Sequence, residues 1–427
     1  MDPFVVILNI LFLIVSVLLV EPSAERIIRY RSSTIADYVV VLIAIFNCLP
    51  VLMDVFFGIP NYVYWYRVFE DVLGEFTICF IYNAYTVFVL AVIQFYAYKV
   101  SKEKKELSAA ESVCLSGLRP LAVDVFLILL PVLYCIYKYG FSVFAGYRML
   151  SGRGVESGDS TTINQMITLS VFLYATRFFS KPRRIGSLIL MTAYFFVLIW
   201  LNGKRYMLVT IGEIVFFLYQ MTKKEAEKRI NLGPLIVWIA AFVIIFSAYY
   251  LTNIKVNSAS QYLYGTLRVD FGRDDVTKFV IDRVLLEKKQ ILDYPGQSVI
   301  SDLLMFVPRR IWANKPYPHY RYLTAAILGL NIYDIPAGTT PSIFEMNLCN
   351  FGWLGIPVTA AVIVGLCAFS DKNHDLSVKV IMLLILTNLL SQALDAVMIL
   401  IPVLVLHYLA THIQIDKHLL LVKTSGK

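Results

Sequence analysis

Residues 4–20 read FVVILNILFLIVSVLLV, an apolar run in which Asn9 and Ser16 are the only polar side chains. A helix that crosses the apolar core of a bilayer needs about 20 residues, give or take a few. No basic segment precedes this run, no small-residue cleavage site follows it, and ten more apolar runs come after it. We therefore interpret it as a retained membrane-spanning helix rather than a secretory signal.

The composition of the whole chain agrees with this interpretation. Of 427 residues, 58% are hydrophobic and only 16% are charged, and the mean hydropathy is +0.69. These values exclude an ordinary soluble domain and predict an all-α polytopic membrane protein, with 1–427 forming a single integral membrane domain. We expect about eleven transmembrane helices, near 4–20, 36–57, 72–98, 121–139, 163–179, 185–201, 206–221, 233–251, 345–369, 377–391 and 396–412.

Lysine and arginine side chains concentrate in alternate loops, and this asymmetry predicts the orientation. The basic loops are those near 26–31, 99–119, 181–184 and 223–229, together with the C-terminal tail. We expect them on the cytoplasmic side, so that the N-terminus lies outside, the C-terminus lies inside, and 252–344 forms one large external loop. The net charge of +8 is then a topology signal, and we expect no nucleic-acid partner.

The cysteines do not suggest a metal site or a disulfide framework. All six lie in or at the ends of apolar runs, without paired spacing and without a CxxC motif. We expect them to be packing residues, and we expect neither a bound metal nor a cofactor. The residues are Cys48, Cys79, Cys114, Cys135, Cys349 and Cys367.

The external loop is the one extramembrane segment large enough to build a site. Arg268 and Arg273 precede Asp274-Asp275, which we expect to cap a short helix. Two guanidinium groups beside the positive end of a helix dipole favour a phosphate or diphosphate ligand. The alternative is that these arginines form surface ion pairs with Asp270, Asp274 and Asp275.

Farther along the external loop, residues 307–316 read VPRRIWANKP and contain Arg309, Arg310 and Lys315. The stretch before them, 297–306, is apolar but too short to span, so we expect it at the membrane interface or dipping back into the protein. The alternative role for these cations is contact with lipid headgroups. Because the outer face attracts basic residues less strongly than the cytoplasmic face does, we favour an anion-binding function.

A second pair of cations, Lys204 and Arg205, lies in a four-residue outer loop against the expected charge distribution. Arg205 at the start of a helix is unfavourable beside the positive end of the helix dipole. A bound diphosphate would compensate for this charge, and a carboxylate from the external loop would do so equally well.

Glu345 enters the outer end of a predicted transmembrane helix, where an ionisable side chain is costly and indicates function. A partly desolvated carboxylate tends to have a raised pKa, which suits a general base near neutral pH. The alternative for Glu345 is a buried ion pair with a loop arginine. His319 is the second candidate base, and its alternative role is an exposed loop histidine.

Several of these motifs together resemble the Wzy-type polymerases of bacterial O-antigen and capsule repeat units. The shared features are Gly-x-Arg at 203–205, Pro-Arg-x-Ile-Trp-x-Asn-Lys-Pro at 308–316, and Thr-x-Pro-Ser at 339–342, followed by Glu345 and by Asn-Phe-Gly-x-x-Gly at 350–355. The close resemblance covers about 202–205 and 303–355. Elsewhere the chain is similar in hydropathy and in the number of spans.

This resemblance implies a C-type integral-membrane glycosyltransferase of the bacterial inner membrane. Such an enzyme moves a growing polysaccharide from undecaprenyl diphosphate onto the nonreducing-end hydroxyl of the next lipid-linked repeat unit, without a metal. Arginines stabilise the departing diphosphate, and a carboxylate or histidine accepts the hydroxyl proton. A separate chain-length regulator protein is left open as a partner. The expected catalytic residues are Glu345, His319, Arg309 and Arg310, and the expected diphosphate-binding residues are Lys204, Arg205, Arg268, Arg273 and Lys315.

Three alternatives stay open at this stage. An O-antigen ligase uses the same lipid diphosphate donor, although ligases tend to carry a histidine where this chain has Glu345. A metal-dependent C-type transferase would use carboxylates of the first outer loop, where Glu70-Asp71 lies. A flippase or other transporter usually shows internal repeats and ionisable groups in mid-span, and no convincing repeat is present here.

Overall fold

The computed structural model is all helical over the residues it describes, which confirms the predicted all-α class for that part of the chain. The described residues are 2–29, 33–60, 62, 66–106, 121–144, 157–179, 185–202, 205–221, 264, 268, 272–304, 307–335, 338–373, 375–392 and 400–405. Lys204 and Asp270 lie outside them.

The main helices are α1 (Pro3–Arg29), α2 (Ile35–Ile43), α3 (Leu49–Phe57), α4 (Val68–Gly74), α5 (Phe76–Glu106), α6 (Leu121–Tyr139), α7 (Ser157–Phe179), α8 (Ile185–Asn202), α9 (Arg205–Met221), α10 (Asp274–Val280), α11 (Gln297–Leu303), α12 (His319–Leu328), α13 (Ile343–Phe351), α14 (Gly355–Lys372) and α15 (Leu376–Ser391). A wide π-helical segment, Ala44–Cys48, joins α2 to α3, and a tight 3₁₀ turn, Gly352–Leu354, joins α13 to α14.

Four helical segments in the described part of the chain are long and apolar enough to cross a membrane: Pro3–Ile28, Ile35–Phe57, Phe76–Lys102 and Ile343–Lys372. They coincide with four of the predicted runs. Shorter apolar helices, Gly186–Asn202, Thr210–Met221 and Leu376–Ser391, coincide with three more. The structure therefore supports a membrane protein, while the count of eleven spans stays a prediction. The predicted span at 233–251 lies outside the described residues.

The chain divides into two compact units. The first unit comprises Met1–Glu111, Lys223–Lys372 and Leu386–Ala393, and it contains the four long spans and all of the described external loop. The second unit comprises Ser112–Thr222, Asn373–Ile385 and Leu394–Lys427. The candidate residues of the external loop therefore belong to the first unit.

Polar contacts near one end of the first unit show the relative directions of its spans. Asp37, near the start of α2, accepts hydrogen bonds from Ser23 and Arg26 near the end of α1, at 2.8 and 2.6 Å. The Ile35 N–H, at the start of α2, donates to Asp371 near the end of α14 at 3.0 Å. Helix α2 thus runs antiparallel to α1 and α14. We call this end of the first unit the Asp37 end.

The opposite end, called the Asp54 end after a carboxylate near the C-terminus of α3, is where the external loop packs. Tyr82 and Tyr85, near the start of α5, donate hydrogen bonds to the backbone oxygens of Asn47 and Phe344 at 3.0 and 3.2 Å. These contacts place the start of α5 and the start of α13 at the same end as the C-terminal half of the Ile35–Phe57 span. The start of α13 carries Glu345.

The second unit packs α6, α7, α8 and α9 together. Ser170 on α7 donates to Ile128 O on α6 at 2.6 Å, and Trp200 on α8 donates to Phe144 O at 3.2 Å. Helix α9 begins at Arg205, as the sequence predicts, but the side chain of Arg205 lies outside the described part of the structure.

Candidate functional site: charged residues at the Asp54 end

A proline in the second span determines where the external loop docks. Pro50 has no N–H, so it donates no helical hydrogen bond to the carbonyl four residues earlier, Phe46 O. The Arg273 N–H donates to that oxygen instead, at 3.2 Å. This bond attaches the start of α10 to the second span, at a carbonyl that receives no hydrogen bond from Pro50.

Helix α10 differs from the helix predicted from the sequence in two respects. It begins at Asp274, and Arg273 is its N-cap residue without a side-chain capping bond, so the expectation that Asp274-Asp275 caps the helix is wrong. All seven residues of α10 are buried, including Asp275 and Lys278. A helix with no exposed face needs partners for its charged side chains: Asp274 pairs with Arg268 and Lys278, and Asp275 pairs with Tyr62.

Arg268 is fully buried in an ion-pair network at the Asp54 end. Its Nε and Nη2 atoms donate to the two carboxylate oxygens of Asp54 at 2.7 and 2.8 Å, and Nη2 also donates to Asp274 at 2.8 Å. Lys278 donates to the same oxygen of Asp274 at 3.1 Å. The sequence-based alternative of ion pairing with Asp274 is therefore correct, but the pair is buried rather than at the surface. Sequence reasoning missed Asp54.

Within this network, the pKa values of the buried charged groups depend on their oppositely charged neighbours. Burial alone would raise the pKa of Asp274, but Arg268 and Lys278 together hold it below its ordinary value. Burial likewise opposes the charged form of Lys278, but Asp274 raises its pKa. Each buried charge therefore depends on its neighbours, because an unpaired buried charge is severely penalised.

Asp275, the neighbour of Asp274, is in a different environment. Its carboxylate accepts a hydrogen bond from the Tyr62 hydroxyl at 3.0 Å and one from the Val276 N–H at 2.7 Å. Burial raises the pKa of Asp275 to about 6, although the nearby charge of Arg268 opposes this rise. This carboxyl group therefore titrates close to neutral pH.

Arg273 is half-buried and forms no salt bridge with a described carboxylate. Its guanidinium donates to two backbone oxygens, Ser391 O at 2.8 Å and Gly272 O at 2.6 Å. Burial lowers the pKa of Arg273, and the carboxyl groups of Asp275 and Glu345 oppose that decrease. Arg273 is thus a cation with negative groups in its vicinity but without a direct ionic partner among the described residues.

Glu345 is fully buried in the first turn of α13 and completes a capping box with Ser342. The Ser342 N–H and hydroxyl both donate to its carboxylate, the hydroxyl at 2.5 Å. The Thr277 hydroxyl lies 3.0 Å from Glu345 Oε2 and 2.9 Å from Arg273 O. Thr277 therefore links Glu345 to Arg273. The alternative of a direct ion pair between Glu345 and a loop arginine is not seen among the described residues.

A second group of cations surrounds Tyr317. The Arg309 guanidinium lies 4.0 Å from the centre of the Tyr317 ring, and the Arg321 guanidinium lies 4.9 Å from it. Arg309 also donates to Lys315 O at 2.6 Å, and Lys315 Nζ donates to Val307 O at 3.0 Å. We call Arg309, Lys315 and Arg321 the basic cluster. Sequence reasoning did not select Arg321.

The two arginines of the basic cluster differ from Arg268 in their contacts with described carboxylates. Neither Arg309 nor Arg321 forms a salt bridge with a described carboxylate, and neither does the exposed neighbour Arg310. Burial and the charge of Arg309 both lower the pKa of Lys315, as expected where like charges lie close together. An anion would relieve that repulsion.

Exposed apolar side chains flank the basic cluster. Leu303, at the end of α11, is 74% exposed, and Ile311, two residues after Arg309, is 79% exposed. The other side of α11 buries the polar residues Gln297, Ser298 and Ser301 against the protein. The expectation that 297–306 lies at an interface stays a prediction, and residues 305 and 306 lie outside the described part of the chain.

His319 is buried at the start of α12 and is only 3% exposed, so the alternative of an exposed loop histidine is wrong. Its Nδ1 atom lies 2.7 Å from Ser298 Oγ on α11. The Ser298 N–H donates to Asn350 Oδ1 on α13 at 3.2 Å. Burial lowers the pKa of His319 to about 4, so its side chain is neutral at physiological pH.

The described residues contain no group of three or more histidine, cysteine or carboxylate side chains that could hold a metal ion. Glu70, of the first outer loop, accepts a hydrogen bond from the Tyr62 N–H at 2.7 Å. Comparisons of the chain with protein-family models, with curated proteins and with solved structures found no significant match.

Proposed function

We propose that this chain is a bacterial inner-membrane polysaccharide polymerase of the Wzy type. It transfers a growing glycan from undecaprenyl diphosphate to the nonreducing-end hydroxyl of the next lipid-linked repeat unit. The observation that carries the proposal is the basic cluster: Arg309 and Arg321 lie on one tyrosine ring without a described carboxylate partner, beside the exposed apolar side chains of Leu303 and Ile311. A polyprenyl diphosphate combines the two chemistries that such a surface favours.

The cations are assigned to the leaving group. As the bond between the anomeric carbon and the diphosphate breaks, the diphosphate keeps the electron pair and gains negative charge. A guanidinium offers paired N–H donors in the geometry of phosphate oxygens, and fixed cations stabilise charge that develops in the transition state. We assign this role to Arg309 and Arg321, with Arg310 and Lys315 contributing positive charge. Arg205 and Lys204 remain predictions for the same role.

We assign the base to Glu345. The acceptor hydroxyl oxygen forms the new bond to the anomeric carbon, and its proton passes to a carboxylate. Glu345 is buried near Arg273, which has no direct carboxylate partner among the described residues. The Thr277 hydroxyl lies between the Glu345 carboxylate and the backbone oxygen of Arg273. Arg268 is assigned a structural role instead, since its Nε and Nη2 atoms already donate to Asp54 and Asp274.

The orientation follows from the charge distribution. The lysine- and arginine-rich loops favour a cytoplasmic location for the Asp37 end, which places the Asp54 end, with Glu345 and the external loop, on the periplasmic side. On that side the lipid-linked repeat units and the growing chain would reach the site.

A gel profile of lipopolysaccharide or capsule from a strain lacking this gene tests the proposal. A lipid core that carries one repeat unit without a ladder is the expected result. Complete loss of attached repeats would instead indicate a ligase or a flippase, and an unchanged ladder would remove the chain from this pathway.

Complementation of that strain then tests the residues. Arg309→Ala and Arg321→Ala are expected to lose the ladder at unchanged protein abundance. Arg283→Ala is the matched control, because Arg283 is a partly exposed arginine already paired with Glu287 at 2.8 Å. A full ladder with both cluster variants would contradict the assignment.

A further inference from the structure

A chain of hydrogen bonds connects the basic cluster to the helix that carries Glu345. His319 and Arg321 are both in the first turn of α12, and Arg321 belongs to the basic cluster. His319 Nδ1 pairs with Ser298 Oγ at 2.7 Å, and the Ser298 N–H donates to Asn350 Oδ1 at 3.2 Å. Asn350 lies on α13, on which Glu345 occupies the first turn. Three helices, α12, α11 and α13, are therefore joined by two consecutive polar contacts.

We propose that His319 is a positioning residue that fixes, through Ser298 and Asn350, the distance between the phosphate-binding cations and the carboxylate of Glu345. This inference rests on the proposed function for its catalytic consequence. It assigns His319 a role different from that of a general base, because the contact of its ring with Ser298 joins α12 to α11.

The geometry of the imidazole supports this role. The ring uses Nδ1 for the Ser298 contact, while Nε2 is buried and has no hydrogen-bond partner among the described residues. His319 is only 3% exposed and Ser298 only 1%. Packing and hydrogen bonding on both sides of the contact therefore fix the ring between α12 and α11.

The contact between His319 and Ser298 is also close in the chain to the cations of the basic cluster. The segment from Val307 to Tyr317 is held by short-range bonds, such as Lys315 Nζ to Val307 O, and it leads directly into α12. Loss of the His319 contact would therefore allow the segment and α12 to shift together relative to α13. A displacement of 1 Å at a reacting centre costs about 100-fold in rate.

The test compares a substitution that keeps a polar atom near the position of Nδ1 with one that keeps a polar atom near the position of Nε2. Asparagine places an amide oxygen near the position of Nδ1, and glutamine places its amide near the position of Nε2. Polymer formation from a lipid-linked repeat unit is measured in proteoliposomes containing full-length protein. His319→Ala is expected to lower kcat by about 100-fold while leaving KM nearly unchanged, and His319→Asn is expected to keep most of the activity. His319→Gln should resemble His319→Ala.

Ser298→Ala should reproduce the loss in His319→Ala, and the double variant should be little worse, because both changes break the same contact. Ser301→Ala is the matched control, since Ser301 is buried on the same helix and its side chain forms no hydrogen bond with a described residue. Activity in His319→Gln together with inactivity in His319→Asn would overturn the proposal, because it would show that the Nε2 position is essential.

A second readout does not depend on polymerisation. Hydrogen exchange of peptides covering 307–317 and 343–351 is compared in wild type, His319→Ala and His319→Asn. Faster exchange in His319→Ala alone is expected, and equal exchange in all three proteins would overturn the positioning role. A wild-type protein that makes no polymer would contradict the proposed function, while the exchange result would still decide whether His319 holds these segments together.

Discussion

Replacing Arg268 with alanine is expected to destabilise the first unit severely. The Arg268 guanidinium is fully buried and makes three charged hydrogen bonds, two to Asp54 and one to Asp274. Its removal leaves two buried carboxylates that face each other, with Lys278 as the remaining cation bonded to Asp274. Asp54 loses its ionic partner altogether and keeps the hydrogen bond from the Tyr264 hydroxyl at 2.9 Å.

The size of the effect follows from the type of pair. Breaking a buried ion pair by removing one partner costs about 3–5 kcal/mol, because the remaining charge stays in a poorly solvating environment. With about 2–4 °C of melting temperature per kcal/mol for a mid-sized domain, the expected decrease is on the order of 10 °C. Arg268→Lys should fall between alanine and wild type, because an ammonium keeps the charge but cannot bond both oxygens of Asp54 in the bidentate geometry of a guanidinium.

The buried cysteines provide the assay. Cys48, Cys79 and Cys367 are buried in the first unit, so a thiol-reactive fluorogenic probe reports its thermal unfolding in detergent. Arg310→Ala is the matched control, since Arg310 is exposed and its side chain forms no hydrogen bond or salt bridge with a described residue. A melting temperature of Arg268→Ala equal to that of Arg310→Ala would refute the reasoning that Arg268 is a structural cation.

Three further predictions concern individual residues. Burial raises the pKa of Asp275 from 3.8 to about 6, so ionisation of this carboxyl group disfavours the fold as pH rises through that window. Above pH 6, Asp275→Asn should therefore exceed wild type in free energy of unfolding by about 3 kcal/mol and should melt at a higher temperature. In a pH series of melting curves, this gain should vanish near pH 4. Glu345→Gln should keep the cap but lower kcat by about 10²–10⁴-fold, whereas Ser342→Ala should cost about 1 kcal/mol of stability with most of kcat retained; equal activity losses in the two variants would contradict the base assignment. Pro50→Ala supplies an N–H that competes for the carbonyl bonded by Arg273, so faster hydrogen exchange at 272–275 is expected, and unchanged exchange would count against the docking role of Pro50.

The membrane class and the helical runs could be predicted because they depend on local composition. An apolar stretch such as 4–20 has one low-energy arrangement in lipid, a helix with its backbone bonds satisfied internally. The helix Pro3–Ile28 and the segment Ile343–Lys372 appear where the hydropathy places them. The start of α13 could also have been predicted in more detail, since Ser342-x-x-Glu345 is the sequence pattern of a capping box.

The buried network could not be predicted in the same way, because its members are far apart in the chain. Arg268 and Asp54 are separated by 214 positions, and neither has a local pattern that selects the other. Sequence reasoning gave Arg268 a diphosphate-binding role on the basis of charge and position alone. The burial of His319 was missed for a similar reason, because it depends on Ser298 and Asn350 from two other helices. The signal available for Asp54 was an acidic residue within an apolar span, which indicates an ionic partner or a function.

Arg268 is neutralised by buried carboxylates, whereas Arg309 and Arg321 form no salt bridge with a described carboxylate, and under the proposed function this difference separates a structural arginine from those assigned to the diphosphate. A diphosphate approaching Arg268 would have to displace Asp54 and Asp274, leaving two carboxylates buried without their partner, at a cost of several kcal/mol. At Arg309 and Arg321 no described carboxylate has to be displaced, so the anion meets cations whose mutual repulsion it relieves. An arginine that looks most important by burial is therefore the least available for chemistry. The same argument makes salt a useful probe, because anion binding to the solvent-accessible basic cluster should weaken with ionic strength, whereas the melting temperature that depends on Arg268 should change much less.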